Sequence, residues 1–342
     1  MYTDVVVGLQ HGDEGKGKVI NWLLKNNIMN KMNNYNYCVR YNGGPNAGHT
    51  IYNDKNHKFV FHQIPIGIIY GIPSIIGSAC VIDPIKLQKE MNELKKLGIQ
   101  NIKDNLFISY NAHCIFYKHI EDDKNTDKIG STLSGIRPVY RDKYNRCGSR
   151  ICKVYNNLYG CKIIDPVNLF QNVKKCKILC EGAQGFELDI DWGDYPYCTS
   201  SNCLAGFCNT SGIPPQSIVR IYGVAKIYET YVGKKKFQPN EIVFTQLQKL
   251  GNEVGATTGR IRQCNWLNLK RLKRAVYVNG VTHIIINKCD ILCKLGIYQL
   301  YDGNEQLKTF TTLEEMKHAI ELELKNIGYV QSIIFSESKN TV

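Results

Sequence analysis

No stretch of the 342 residues approaches the roughly 18 consecutive apolar residues that a helical membrane span requires, which excludes one. The opening MYTDVVVGLQHG lacks the basic, apolar and small-residue order of a secretory signal and the Arg/Ser bias of a transit peptide. It reads instead as a first strand, and a cytoplasmic location is the expectation. The fourteen cysteines include no C-x-x-C pair. Groupings such as Cys198/Cys203/Cys208 and Cys289/Cys293 fit no common zinc spacing, so reduced thiols are expected rather than disulfides or a zinc centre. Internal repeats and linkers rich in Pro, Gly or Ser are missing as well, which leaves residues 1–342 as one α/β domain with insertions. Acidic residues are in short supply, 30 against 43 Lys and Arg, giving a net charge of +13. Part of that excess follows a bias toward Asn, Lys, Ile and Tyr, and runs such as Lys234 to Lys236 read as solvated faces. A nucleic-acid reader needs a basic stripe interleaved with aromatics, but the 21 tyrosines are scattered. Neither a nucleic-acid nor a membrane partner is expected.

What is present alternates. Short β-branched runs lie at 4–9, 37–41, 74–82, 177–182, 218–226 and 282–290, bounded by Gly or polar residues. Helical patterns fall between them. Pro84 to Leu97 sets Ile85, Leu87, Met91, Leu94 and Leu97 near one face and stops at Gly98, Trp266 to Asn279 is similar, and Thr312 to Lys325 opens on a capping-box-like Thr-Leu-Glu-Glu. The asparagine-rich stretch from Asn26 to Asn36 reads as a surface loop. Buried-type strands alternating with helices predict an α/β fold with a mostly parallel central sheet and flanking helices.

Four glycine-rich segments carry chemistry. In VVVGLQHGDEGKGKVINWLL an apolar strand runs into a turn where Gly12, Gly17 and Lys18 have the G-x-x-x-x-G-K spacing of a phosphate loop, whose backbone N–H groups and helix N-terminus meet an anion. Val19 stands where a magnesium-binding Ser or Thr usually follows. Asp13 and Glu14 inside the loop are unusual, because carboxylates repel a polyphosphate unless one holds Mg²⁺ or takes a proton. A tight strand-to-helix turn with Gly for packing is the plainer alternative. In VRYNGGPNAGHT, three glycines bring Asn46, His49 and Thr50 together, and His49 is a candidate general acid. Further on come EGAQGFELDIDWGDYPYCTSSN at 181–202 and GNEVGATTGRIR at 251–262, the second holding two hydroxyls and two guanidiniums suited to carboxylate or phosphate oxygens. Asn287-Lys288-Cys289-Asp290 ends a hydrophobic strand. An N-K-x-D there can read guanine, the carboxylate pairing with N1–H and the 2-amino group while the Lys stem covers the ring.

Taken in order, GDEGKGK at 12–18, NAGHT at 46–50, GIRPVYRDKYNRCG at 135–148, EGAQG at 181–185, DIDWGDYPYCTSSN at 189–202, GATTGRIR at 255–262 and NKCD at 287–290 resemble the adenylosuccinate synthetase family in a compact form. That resemblance implies a ligase joining L-aspartate to IMP at the expense of GTP, through 6-phosphoryl-IMP. It implies Asp13 as the base on N1, with His49 and Lys16 completing the catalytic set, and Mg²⁺ between Asp13 and the Gly48 carbonyl. For IMP it points to Asp13, Glu14, Gly15, Lys16, Asn46, Ala47, Gly48, His49, Thr132, Gln184, Thr199 and Arg260, with Arg146 crossing to the neighbouring site of a homodimer. GTP would draw on Gly12, Glu14, Gly15, Gly17, Lys18, Gly48, Thr50, Arg262, Lys288 and Asp290. Aspartate would meet Ala256, Thr257, Thr258, Gly259, Arg260 and Arg262.

Two departures bear on this. Ser134 replaces a family arginine of the aspartate and phosphate region, with Arg137 three residues on as its substitute. The family's C-terminal Ser-x-Gly-Pro, which completes the guanine pocket, is replaced by a tail in which Phe335 and Ser336 fall where Gly and Pro belong, leaving GTP against ATP open. Two alternatives stay open: a viral-type relative acting on dGMP, whose members lose the loop aspartate kept here as Asp13, and a GTP-binding switch or scaffold, which would not need His49 or Arg260.

Overall fold

The computed structural model describes residues 1–29, 34–53, 57–255, 259–338 and 342. Ten strands form its central sheet: β1 (Tyr2–Gly8), β2 (Tyr37–Arg40), β3 (Ser74–Ile76), β4 (Leu106–Ser109), β5 (Asn157–Leu158), β6 (Cys161–Ile164), β7 (Lys177–Glu181), β8 (Ile218–Lys226), β9 (His283–Asn287) and β10 (Ser332–Phe335). Their order is β10-β9-β8-β1-β7-β2-β3-β4-β6-β5, and every pairing is parallel except the edge pair β5–β6. A parallel sheet needs covering on both faces, which explains why its strands are apolar at consecutive positions rather than at every second one. Val5 and Val7 of β1, with Ile178 of β7 and Ile284 of β9, pack beneath α3 (Leu269–Asn279) and α4 (Leu313–Lys325). Val6, Leu179 and Ile285 point the other way, under α1 (Lys16–Met29) and α2 (Pro84–Lys96). Burying each of these side chains contributes about 1.5–3 kcal/mol, so neither face can be left bare.

The chain runs outward from β1 through β2, β3 and β4, then returns to set β7 and β8 on the two sides of β1. The reversal opens a crevice at the carboxyl ends of the strands, where an open α/β sheet binds ligands. A four-stranded sheet flanks the crevice, with Tyr228–Tyr231 antiparallel to Gln263–Asn268.

Several expected boundaries move. The run at 74–82 divides into β3 and a separate pair, Val81–Ile82, because the Cys80 N–H closes a turn on the Gly77 carbonyl (3.1 Å). Trp266 to Asn268 is strand, Trp266 paired with Tyr228 and the next two residues with Leu300 and Tyr301, and the helix starts only after Asn268 caps it by accepting from the Arg271 N–H (3.0 Å). The asparagine stretch from Asn26 is helical as far as Met29. Asn27 donates to the Leu23 carbonyl (2.8 Å) and accepts from Lys177 (2.6 Å), so polar side chains there sustain the last turn. On α2 the buried face holds Leu87, Glu90 and Leu94, while Ile85 is 66% exposed and Leu97 lies outside the helix. Glu90 takes a place among the leucines because its carboxylate accepts the N–H groups of His62, Gln63 and Ile64 at 2.8 to 3.1 Å. All fourteen cysteines are free.

Candidate active site

Five segments of the site leave the carboxyl ends of parallel strands. Residues 9–15 follow β1, 41–48 follow β2, 182–202 follow β7, 288–290 follow β9 and Ser336 follows β10. Beside them lies a cleft of about 720 Å³.

Within the phosphate loop the two carboxylates part. Asp13 has a left-handed backbone (φ 60°) that lifts its carboxylate into the cleft, where it is 37% exposed and takes a 2.6 Å hydrogen bond from Arg262 Nε. Glu14 turns inward. Its oxygens accept from the N–H groups of Gln10 (3.2 Å) and Gly12 (2.9 Å) and from Lys16 Nζ (2.6 Å), all buried. Glu14 thus braces the loop from below, and only its backbone N–H is left to meet a nucleotide. Gly15 stands at φ 98°, and a Cβ there would lie 2.8 Å from Asn287 Nδ2, which donates to the Glu14 carbonyl (2.8 Å). The first residue of N-K-x-D thereby clamps the phosphate loop. At Gly17 a Cβ would meet the His49 Cβ at 3.1 Å, so the first turn of α1 lies directly against the histidine.

His49 opens the hairpin of His49–Tyr52 with Lys58–Phe61 and is 6% exposed. Its Nδ1 lies 3.2 Å from Glu181 Oε1, and Glu181 also holds Arg40 and the Ile66 N–H (3.0 Å). Burial, reinforced by the Arg40 guanidinium, pushes His49 down to about 4. Burial works against the Glu181 anion, yet Arg40 and His49 outweigh it and hold that carboxyl at about 2. The imidazole is therefore neutral at neutral pH, with Nδ1 set between the Glu181 carboxylate and Arg40 Nη2 (3.1 Å).

Arg260 lies in the cleft and donates to the carbonyls of Gly130 (2.8 Å) and Ser131 (3.3 Å), while Arg262 bridges Asp13 and Glu253 (2.7 Å). Lys288, left-handed at φ 69°, donates to the Gly251 carbonyl (2.8 Å). Lys18 donates to Ser336 Oγ (2.7 Å) and the Ser338 carbonyl (3.0 Å). Burial lowers it to about 8, with Asp290 pulling the other way. The altered tail thus lies directly on the phosphate-loop lysine, next to the aspartate of N-K-x-D.

Of the residues expected around IMP, Asp13, Lys16, Asn46, Ala47, Gly48, His49, Thr132, Gln184, Thr199 and Arg260 line this one cleft, with Gly12. Arg146 does not: it is exposed on a left-handed turn (φ 63°), away from its own chain's cleft. Thr50 has a buried hydroxyl without a hydrogen-bond partner. Gly259 is exposed, and Ala256, Thr257 and Thr258 lie outside the described residues. Ser134 is buried and accepts from Lys86 (3.2 Å), whereas Arg137 lines the cleft but is engaged by Thr126, Asp122 and Asp123. Sequence reasoning missed Glu181, Arg40 and Glu253, whose charges pair across distant segments. It also missed His11, a buried cleft residue set edge-on to Tyr231 and Phe237, whose two ring nitrogens have no partner.

Fold and cleft together define a nucleotide-handling α/β enzyme. The adenylosuccinate synthetase family model matches residues 5–163 and 161–333. The adenylosuccinate synthetase of Cytophaga hutchinsonii is 40% identical, over 85% of this chain and 78% of its own length. The fully ligated adenylosuccinate synthetase from Plasmodium falciparum superposes with a TM-score of 0.82 at 27% identity, covering 98% of this chain and 97% of that one. A cyanophage S-2L succinoaminodeoxyadenylate synthetase, bound to dGMP and dATP, has the same fold, with a TM-score of 0.73 at 20% identity over 99% of this chain and 93% of its own. The chain belongs to the adenylosuccinate synthetase family and is a ligase of that kind.

Proposed function

We propose that the protein joins L-aspartate to IMP with GTP as phosphate donor, giving adenylosuccinate, GDP and phosphate. The observation that carries the residue assignments is that Asp13 and His49 line one cleft, the first exposed to it beside Arg262 and the second backed by a buried anion. Asp13 takes the N1 proton of IMP, which makes O6 a nucleophile. O6 attacks the γ-phosphorus as the bond to GDP breaks, and His49 and Lys16 offset the charge spread over the transferring group. The aspartate amine then adds at C6 and phosphate leaves. Arg260 and Arg262 offer forked donors for the aspartate carboxylates, and Lys288 and Asp290 hold the guanine.

Asp13 is the loop carboxylate facing the cleft, and the Gly48 backbone lines the same cleft. Among the described residues no cluster of three His, Cys, Asp or Glu forms a closed metal cage. Asp13 and the Gly48 carbonyl would hold Mg²⁺, a hard cation suited to oxygen donors, and it would supply positive charge beside the donor phosphates. Arg146, exposed outside its own cleft, reaches the neighbouring site of a homodimer.

The test is to incubate the protein with Mg²⁺, aspartate and each pairing of IMP or dGMP with GTP or ATP, reading products by mass spectrometry. Adenylosuccinate from IMP with GTP is expected. Product from dGMP alone would overturn the substrate, and no condensation in any pairing would overturn the enzyme reading. Asp13→Asn is expected to abolish turnover while GTP binding survives; near-normal activity in that variant would sink the base assignment.

A further inference from the structure

Three segments that carry chemistry converge on one buried carboxylate that the reaction above does not use. Glu253 is 1% exposed. Its Oε2 accepts from Lys226 Nζ (3.0 Å) and from Arg262 Nη1 (2.7 Å), and its Oε1 accepts from the Tyr228 hydroxyl (2.6 Å) and faces Lys288 Nζ at 3.9 Å. Each charged partner reaches a different part of the site. Arg262 commits its Nε to Asp13 (2.6 Å). Lys288 is the second residue of N-K-x-D and also grips the Gly251 carbonyl (2.8 Å), two positions before Glu253. The Lys226 backbone exchanges two hydrogen bonds with the side chain of Gln10 on the phosphate loop (3.0 and 2.9 Å). Burial would raise the Glu253 carboxyl, but Lys226, Lys288 and Arg262 outweigh it and hold it at about 2.

A carboxylate so placed cannot release one partner without disturbing the rest, because a buried charge left unpaired is far costlier than one at the surface. We infer that Glu253 is a positioning residue that couples occupation of the nucleotide-base site at Lys288 to the hold of Arg262 on Asp13. A purine seated under the Lys288 stem fixes that ammonium on the Gly251–Glu253 turn. Glu253 then keeps Arg262 Nη1 on Oε2, which sets the plane of the guanidinium and, through Nε, the aim of the Asp13 carboxylate. Seating the phosphate donor thereby strengthens the hold already made on the proton acceptor. This inference rests on the reading of Asp13 as base and of residues 287–290 as the base-reading segment.

The test is a double-mutant cycle on the full chain: wild type, Lys288→Met, Glu253→Gln and the double variant, with kcat and the KM values for IMP and GTP measured in Mg²⁺ and aspartate. Lys288→Met is expected to raise KM for GTP and also to lower kcat by about tenfold, the size of an ordinary coupling between sites. Glu253→Gln should lower kcat similarly while leaving KM for IMP near wild type, and the double variant should turn over no more slowly than Glu253→Gln alone. A carboxylate that only stabilised the fold would leave the two kcat losses multiplying. Multiplied losses, or a Lys288→Met that changes KM without kcat, would overturn the inference. Should Glu253→Gln fail to fold, Tyr228→Phe removes one hydrogen bond from Oε1 and keeps the charge. In that background the kcat penalty of Lys288→Met should shrink, and an undiminished penalty is equally fatal. Failure of the underlying reading is distinguishable, because Asp13→Asn would then retain turnover whatever the cycle gives.

Discussion

A neutral imidazole has one proton, and in His49 the Nδ1 that faces Glu181 at 3.2 Å also faces Arg40 Nη2 at 3.1 Å. Burial and Arg40 hold His49 down at about 4, so at neutral pH it lacks the second proton. An incoming polyphosphate reverses that balance by placing negative charge on the open side, with Glu181 already on the other. On the proposed reading of His49 as an acid, the substrate itself thus favours the protonated form. His49→Asn keeps a polar group but cannot take the charge, so kcat is expected to fall by about a hundredfold with KM for IMP and GTP changed far less; steady-state kinetics on both substrates would show the split, and a loss confined to KM would contradict it. His11 sets the opposite problem. Its two buried nitrogens lack partners, and each such group costs about 1–3 kcal/mol. His11→Phe should therefore raise the urea midpoint, since Tyr231 and Phe237 already pack edge-on against that ring.

At the scale of elements, the phosphate loop is held from two sides, by Glu14 beneath it and by Asn287 against its crown. Gly15 makes the second contact possible. Gly15→Ala would force a Cβ toward Asn287 Nδ2 at a backbone angle of 98°, which side chains rarely adopt, at a cost of about 1–3 kcal/mol. The expected result is a lower unfolding midpoint together with a raised KM for GTP, and an unchanged KM would show that the clamp is dispensable. Such loops were legible in the sequence because glycines so spaced after an apolar run suit a tight strand-to-helix turn and little else, and β8 matches the 218–226 run residue for residue. Boundaries were less legible where one pattern serves two structures. Trp266 fits an apolar helical stripe as well as it fits a strand, and the choice was made by Tyr228, 38 positions earlier, pairing with it. The same holds for the site. Arg40, Glu181 and Glu253 sit inside motifs just as Asp13, His49 and Lys288 do, but Glu181 reaches Arg40 across 141 positions and Glu253 reaches Lys226 across 27, and nothing local marks those pairings.

For the whole molecule, the positive charge that draws three anionic substrates toward one cleft coexists with buried groups whose titration sets where the fold is most stable. Burial holds His49 and His113 at about 4, well below their usual 6.5. Between pH 6.5 and 4 the unfolded chain therefore binds more protons than the folded one, and stability falls as pH falls through that window. Glu181 and Glu253, held at about 2 against a usual 4.5, contribute stability above 4.5 that is lost as pH drops toward 2. Glu229 acts in the other direction. Buried beside Glu187, it is raised from 4.5 to about 8, so its stabilising share is complete below 4.5 and is lost as pH rises through 8. From 4.5 to 6.5 the two histidines outweigh this one carboxyl, and above 6.5 Glu229 acts unopposed by them. The expected profile rises to a maximum near pH 6.5 and then declines, by on the order of 2 kcal/mol by pH 8. Urea midpoints measured from pH 4 to 9 would trace it. Glu229→Gln, which stays neutral and keeps an oxygen for the Asn268 N–H, should flatten the alkaline side and leave the acid side intact. A decline of the same slope in that variant would mean that another group titrates there.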